Sequence, residues 1–118
     1  VSLRNRDGKF VQPDDKSFAA AAANAQWNPA AGFGTNLNNQ HGGDAWPITT
    51  ASYILLHKVA DKPERSREAL KFFQWALRNG QKMAVDLDYV PMPSNVVSQI
   101  ETSWKAIRDT SGTPVMAD

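Results

Sequence analysis

Short apolar runs separated by turn residues open the chain. Residues 1–4 and 9–12 flank Asn5-Arg6-Asp7-Gly8. Asp-Gly between two β-tolerant runs predicts a hairpin or tight turn. Pro13 ends that unit, and Asp14 or Asp15 is placed to cap a helix by accepting a bond from an orphan backbone N–H. The helix is expected over residues 16–24, with Phe18, Ala21, Ala22 and Ala25 at helical spacing. Its small side chains suit close approach to a neighbour. Residues 27–43 read as a long irregular connection rich in glycine and asparagine, with Phe33 and Leu37 as anchors. A connection of that length in a compact domain is uncommon and is usually functional or well packed.

Trp46-Pro47 then forms a corner at the mouth of an apolar run. Proline cannot donate to a ladder, so the corner is not the middle of a strand. Residues 53–56, Tyr-Ile-Leu-Leu, have the length and composition of a buried strand, apolar on both faces as in a parallel sheet. Residues 59–63 make a turn, and Pro63 suits the first turn of a helix. That helix, over residues 64–79, carries Ala69, Leu70, Phe72, Phe73, Ala76 and Leu77 on one face and ends at Gly80 as its C′ residue. Trp75 falls on the opposite side, beside Lys71 and Arg78. It is either a partly exposed aromatic or a second packing surface. A short helix over 81–87, an extended proline-restricted stretch over 88–93 and a last helix over 94–107 follow. Val96, Val97, Ile100, Trp104 and Ile107 share a face of that last helix. Residues 109–114 form a tail.

The fold class is therefore α/β, with few strands among several amphipathic helices. A strand leaves its backbone groups unsatisfied unless it finds neighbours, and parallel neighbours need crossover connections. The chain holds too few strands to supply them, so residues 53–56 are expected to pair with strands encoded elsewhere. The opening Val1-Ser2-Leu3-Arg4 likewise reads as the interior of a longer protein.

Composition adds mainly exclusions. With 118 residues, 42% hydrophobic and 21% charged, the chain is of ordinary globular type. A formal charge of +1 and the lack of a Lys/Arg block argue against a nucleic-acid partner. No apolar run approaches the ~20 residues of a spanning helix. Without cysteine there is no disulfide, thiolate catalysis or cysteine-ligated metal, and no indication of compartment.

Each candidate for chemistry has a plainer reading that is preferred. His41 and Asp44 supply two ligands where zinc usually takes at least three from protein. Asp44 is instead expected to cap or bond a turn next to Trp46. Gly42-Gly43 has the makings of an anion-binding nest, but no phosphate-loop pattern accompanies it, and loop flexibility is preferred. His57 at the strand end is a conceivable general base, read here as a surface histidine. Asp86 and Asp88 share a face if extended, yet lack a pocket and read as solvated turn carboxylates. Ser94, Ser98 and Ser103 have no nucleophile-elbow context. Trp27, Trp46, Trp75 and Trp104 are better explained by packing than by sugar stacking. No catalytic, ligand-binding or metal residue is assigned, and no cofactor is expected.

A series of blocks runs through nearly the whole chain: Asp7-Gly8-Lys9, Pro13 and Trp27; then Leu37-x-x-Gln40-x-Gly42-x-Asp44-Ala45-Trp46-Pro47-Ile48-Thr49; then Ile54-Leu55-Leu56-His57-Lys58, Lys62-Pro63-Glu64, Leu70-Lys71-Phe72-Phe73-x-Trp75-Ala76 and Gly80; then Asp86-Leu87-Asp88-Tyr89, Pro93-x-x-Val96-Val97, Trp104-Lys105 and Gly112-x-Pro114. In order and spacing they resemble the C-terminal third of the phosphate-binding proteins of bacterial ABC importers, the PstS family. That resemblance implies a two-lobed clamp in which residues 1–45 belong to the second lobe, 46–50 form a hinge crossing and 51–118 complete the first lobe. It further implies a periplasmic binding protein, not an enzyme, that takes inorganic phosphate and delivers it to a membrane permease. The family's phosphate-holding hydroxyls, amides, arginine and aspartate lie in the N-terminal two thirds, so none is carried over here. By the same resemblance the N-terminal remainder of the protein is a partner of this segment, and the segment alone is not competent. The alternatives are a clamp for another oxyanion, a small enzyme using His41, Asp44 or His57, and an interaction module presenting Trp75.

Overall fold

The computed structural model describes residues 1–116. The first unit is an antiparallel hairpin of β1 (Leu3–Arg4) and β2 (Phe10–Val11), in which Leu3 faces Val11 and Arg4 faces Phe10. Its turn closes where expected. The Asn5 carbonyl accepts from the Gly8 amide at 3.0 Å, and Gly8 takes a φ of +82° that side-chain-bearing residues rarely adopt.

Helix α1 spans Asp15–Asn24. Asp14 is the cap: its carboxylate accepts the Ser17 amide at 2.8 Å, while the Ser17 hydroxyl accepts the Asp14 amide at 3.1 Å. This reciprocal box satisfies two groups that a helix start otherwise leaves open. The long connection holds a 3-10 turn over Pro29–Ala31 that Asn28 caps. Leu37 is buried as expected, and Phe33 is half-buried with φ +60°.

After the crossing, β3 (Val59–Ala60) lies parallel to β4 (Arg108–Asp109). Between them run α2 (Pro63–Asn79), α3 (Gln81–Asp86) and α4 (Ser94–Trp104). Pro63 opens α2 as its sequence position suggests. Ala60, Leu70, Trp104, Ile107 and Val115 form the core, with Phe73, Leu77, Ile100 and Met116 packed on it. Arg78 grips Glu101 through two 2.8 Å bonds and so ties α2 to α4. Arg67 donates to the Val115 carbonyl at 2.9 Å and holds the C-terminal segment to α2. Helix α4 also touches α1 and the 3-10 turn.

Four expectations are corrected. Residues 53–56 are neither a strand nor buried: Tyr53, Ile54, Leu55 and Leu56 are all exposed, Leu55 at 91%. Among the described residues no strand lies alongside, and an unpaired strand has nothing to satisfy its backbone except water. Phe72 does not join the inner face of α2. It is exposed and stacks on Trp75, with centroids 6.4 Å apart and planes 22° apart. Helix α4 stops at Trp104, three residues early, because the chain turns there to bring Ile107 into the core and Arg108 into β4. Gly80 follows the end of α2 as expected but is not left-handed; at φ −85° it is the corner between α2 and α3, and a Cβ there would stand 2.6 Å from the Ala76 carbonyl oxygen.

The radius of gyration is 16.3 Å, and the extents are 52, 29 and 19 Å. A compact domain of this length has a radius of about 13–14 Å. The described residues thus form an open, elongated α/β assembly of short strands and four α-helices.

Candidate functional site

The richest web of interactions surrounds residues 36–49, the approach to the Trp46-Pro47 corner. On one side the hairpin grips it. The Asn5 amide nitrogen donates toward the carbonyls of Gly43 at 2.8 Å, Gly42 at 3.1 Å and Ala45 at 3.3 Å. The Asn5 carbonyl oxygen of the side chain accepts the Lys9 amide at 2.9 Å. Asn5 is 6% exposed, so these bonds replace water that burial has removed. Asp7 completes the grip: one carboxylate oxygen accepts the Gly42 amide at 2.8 Å and the other meets His41 Nδ1 at 3.2 Å. The Gly42 amide first, and His41 second, hold the Asp7 carboxyl below its ordinary pKa.

On the other side α1 and the connection hold the corner itself. The Trp46 amide donates to the Ser17 carbonyl at 3.0 Å, and its indole meets Phe18 edge-on at 6.2 Å. The Asn39 amide donates to the Pro47 carbonyl at 2.9 Å, and the Thr49 amide donates to the Asn38 side chain at 2.9 Å. Beyond Thr49 an open groove of about 330 Å³ runs between residues 48–52 and 88–92, over Phe18, Ala22 and Leu37. Thr49, Thr50 and Ser52 are among the residues that line it.

The sequence candidates fare unevenly. His41 and Asp44 do not form a pair: His41 turns to Asp7, and no hydrogen bond or ion pair holds the exposed Asp44 carboxylate among the described residues. The turn role expected of Asp44 falls to Asp7. The Gly42-Gly43 nest is occupied from within, since the Gly42 amide already binds a carboxylate and both carbonyls accept from Asn5. His57 is exposed, two residues before β3. Asp86 pairs with Lys82 at 2.7 Å at the end of α3, and Asp88 turns away with φ +60°, so the two carboxylates are not neighbours on one extended face. The Ser98 hydroxyl donates to the Ser94 carbonyl and that of Ser103 to Ile100, both back onto their own helix. Trp46 and Trp104 are packed, and Trp27 donates its ring N–H to the Ala22 carbonyl at 2.8 Å. Among the described residues no group of three His, Asp or Glu is placed to hold a metal. No described helix is long and apolar enough to cross a membrane.

Asn5, Asp7, Asn38 and Asn39 are the residues that sequence reading missed. Their long-range partners lie from 8 to 40 positions away, and only the loop composition hinted at them.

No family model matches the chain. It is 52% identical over 105 residues to the phosphate-binding protein PstS of Pasteurella multocida, covering 89% of this chain and 30% of that protein. Against PstS of Haemophilus influenzae it is 51% identical over 105 residues, covering 89% and 31%. Against PstS of Xylella fastidiosa strain 9a5c it is 46% identical over 104 residues, covering 88% and 29%. The chain thus spans about three-tenths of the length of these relatives. That partial coverage is consistent with a C-terminal portion of such a protein.

Proposed function

We propose that this chain, which belongs to the PstS family of phosphate-binding proteins, is the C-terminal part of a two-lobed clamp that binds inorganic phosphate and passes it to an ABC importer. The observation that carries this reading is 52% identity sustained over 89% of the chain to a protein named for phosphate binding. The role is binding and delivery, not catalysis, and its place is the periplasm.

In this reading residues 1–45 belong to the second lobe, residues 46–50 are one hinge crossing and residues 51–118 complete the first lobe. Residues 53–56 become a central strand of the first lobe once their neighbours are present. What supports this is their apolar character on both faces together with their exposure in this chain. The anion is held by the remaining seven-tenths of the protein, where helix N-termini and hydroxyls dehydrate and bind the oxyanion. An acceptor that receives the proton retained by phosphate would reject sulfate, which has none to give. The contribution of the present segment is mechanical: it joins the lobes and sets how they close.

Calorimetry of the full-length protein with phosphate and with sulfate tests the reading. Saturable phosphate binding with sulfate excluded is the expected result. Sulfate or another oxyanion binding in place of phosphate would redirect the specificity, and binding of none would remove the reading. The 118-residue chain alone is expected to bind no phosphate.

A further inference from the structure

We propose that Asn79-Gly80 is a latent site of spontaneous covalent change, at which the Asn79 side chain and the Gly80 amide close to a succinimide once the end of α2 opens, and that the Arg78–Glu101 tie helps to keep it shut. The site is read from α2 itself and does not depend on the clamp reading.

Asn79 is the one asparagine in the chain that glycine follows. Glycine lacks a Cβ, so its nitrogen approaches a neighbouring side chain with the least obstruction. In the reaction the Gly80 nitrogen attacks Asn79 Cγ and a new C–N bond forms. The side-chain nitrogen leaves as ammonia, together with the proton that Gly80 gives up. Water then opens the ring. Cleavage of the new Cγ–N bond leaves aspartate. Cleavage of the bond between the Asn79 carbonyl carbon and the Gly80 nitrogen leaves isoaspartate, whose main chain is longer by one carbon. Water is the only co-reactant, and Asn79 is exposed to it. Asp7-Gly8 is a weaker candidate for the same ring, since a carboxylate oxygen leaves poorly and both Asp7 oxygens are engaged by His41 and Gly42.

Three restraints oppose ring closure in the folded chain. The Gly80 amide donates to the Ala76 carbonyl at 2.8 Å, so the nitrogen that must lose its proton is engaged. Asn79 Nδ2 donates to the Trp75 carbonyl at 3.1 Å, which turns the side chain back along α2. Asn79 is also the last residue of α2, and the ring requires its ψ to rotate away from the helical value. Fraying of the last turn releases all three together. That turn is held down from outside by its neighbours. Leu77 packs on the core, and Arg78 grips Glu101 of α4 through two 2.8 Å bonds.

The product fits the corner worse than asparagine does. A carboxylate at position 79 would face the Trp75 carbonyl, acceptor against acceptor, at the negative end of the α2 dipole. The added carbon of isoaspartate would enter a corner where even a Cβ on Gly80 would stand 2.6 Å from the Ala76 oxygen. Opening followed by reaction therefore leaves an end of α2 that does not re-form as before.

The test is made on the full-length protein at mildly alkaline pH, folded or in urea, with conversion at residue 79 read by peptide mapping and mass spectrometry. Aspartate and isoaspartate are expected to accumulate in urea, and at least about tenfold more slowly in the folded protein, because the site is reached only through local opening. Glu101→Gln removes the tie and leaves the sequence around Asn79 unchanged. It is expected to speed conversion in the folded protein about twofold to fivefold, the scale of an exposed ion pair, with the rate in urea unaltered. Asn79→Asp mimics one product and should lower the thermal midpoint. Equal rates in folded protein and in urea would overturn the latent site, as would a lack of conversion in urea. A Glu101→Gln rate equal to wild type would overturn the role of the tie, and an Asn79→Asp midpoint at or above wild type would overturn the misfit of the product. The wild-type comparison decides the site even if Glu101→Gln fails to fold.

Discussion

Asn5 sits almost fully buried with one amide group facing three carbonyl oxygens of the 42–45 turn. An amide has two hydrogens, so the longest of these bonds, to Ala45, shares one of them. Asn5→Ala strands buried acceptors and a backbone donor, and is expected to cost about 1–3 kcal/mol. Urea unfolding of the full-length protein measures it, with an unchanged midpoint counting against the assignment. Asp7 gives a pH-dependent counterpart. Its folded pKa is depressed, so its stabilising contribution is whole above the ordinary aspartate value and is lost as pH falls through the lower folded one. Below about pH 4 the Gly42 amide should begin to lose exchange protection in the wild type. In Asp7→Asn that acid-dependent step should vanish. The Asp7-Gly8 turn was legible in the sequence. That its carboxylate would reach a glycine 35 residues on was not, because nothing in local spacing records a contact made by folding.

At the scale of elements, periodicity and caps carried the helices well. Asp14 and Pro63 began α1 and α2 where their chemistry requires. The α2 stripe identified Leu70, Phe73 and Leu77 as inward, but placed Phe72 with them. Adjacent aromatic residues on a helix point about 100° apart, so the choice between them depends on where α4 lies. Gly80 ends α2 as its position suggested, but as a crowded corner at φ −85° and not in a left-handed cap. Gly80→Ala would drive a methyl into the Ala76 carbonyl, an oxygen fixed by its own backbone. The expected cost is about 1–3 kcal/mol of overpacking, read as a lowered thermal midpoint. A midpoint equal to wild type would show that the corner relaxes freely. The end of α4 was misjudged for a related reason: Ile107 keeps the helical period of Trp104 and Ile100, yet occupies the core from a turn and not from the helix.

The whole molecule is long and open, with apolar side chains such as Ile54, Leu55, Phe72, Trp75, Leu87 and Tyr89 left facing water. Exposed apolar surface on this scale marks interaction sites or association hazards. The separated 118-residue chain is therefore expected to bind a hydrophobic dye and to self-associate in sedimentation, and co-expression with the N-terminal remainder should suppress both. A separated chain that stays monomeric and melts in one sharp transition would contradict this. The same surface explains why the strand over residues 53–56 failed to appear. Its residues have strand character, but a strand exists only as part of a ladder.

The sequence by itself determined the local features: the hairpin turn, the Asp14 and Pro63 helix starts, the buried Leu37, Trp104 and Ile107, and the block series that resembles the PstS family. These follow from side-chain chemistry acting over a few residues or from a preserved order of motifs. Only the tertiary structure decided which carboxylate binds Gly42, which phenylalanine of α2 faces inward, and which residues hold the Trp46-Pro47 corner. Those outcomes depend on groups from 8 to 40 residues apart meeting at hydrogen-bond distance, and such meetings are fixed by packing and not by spacing.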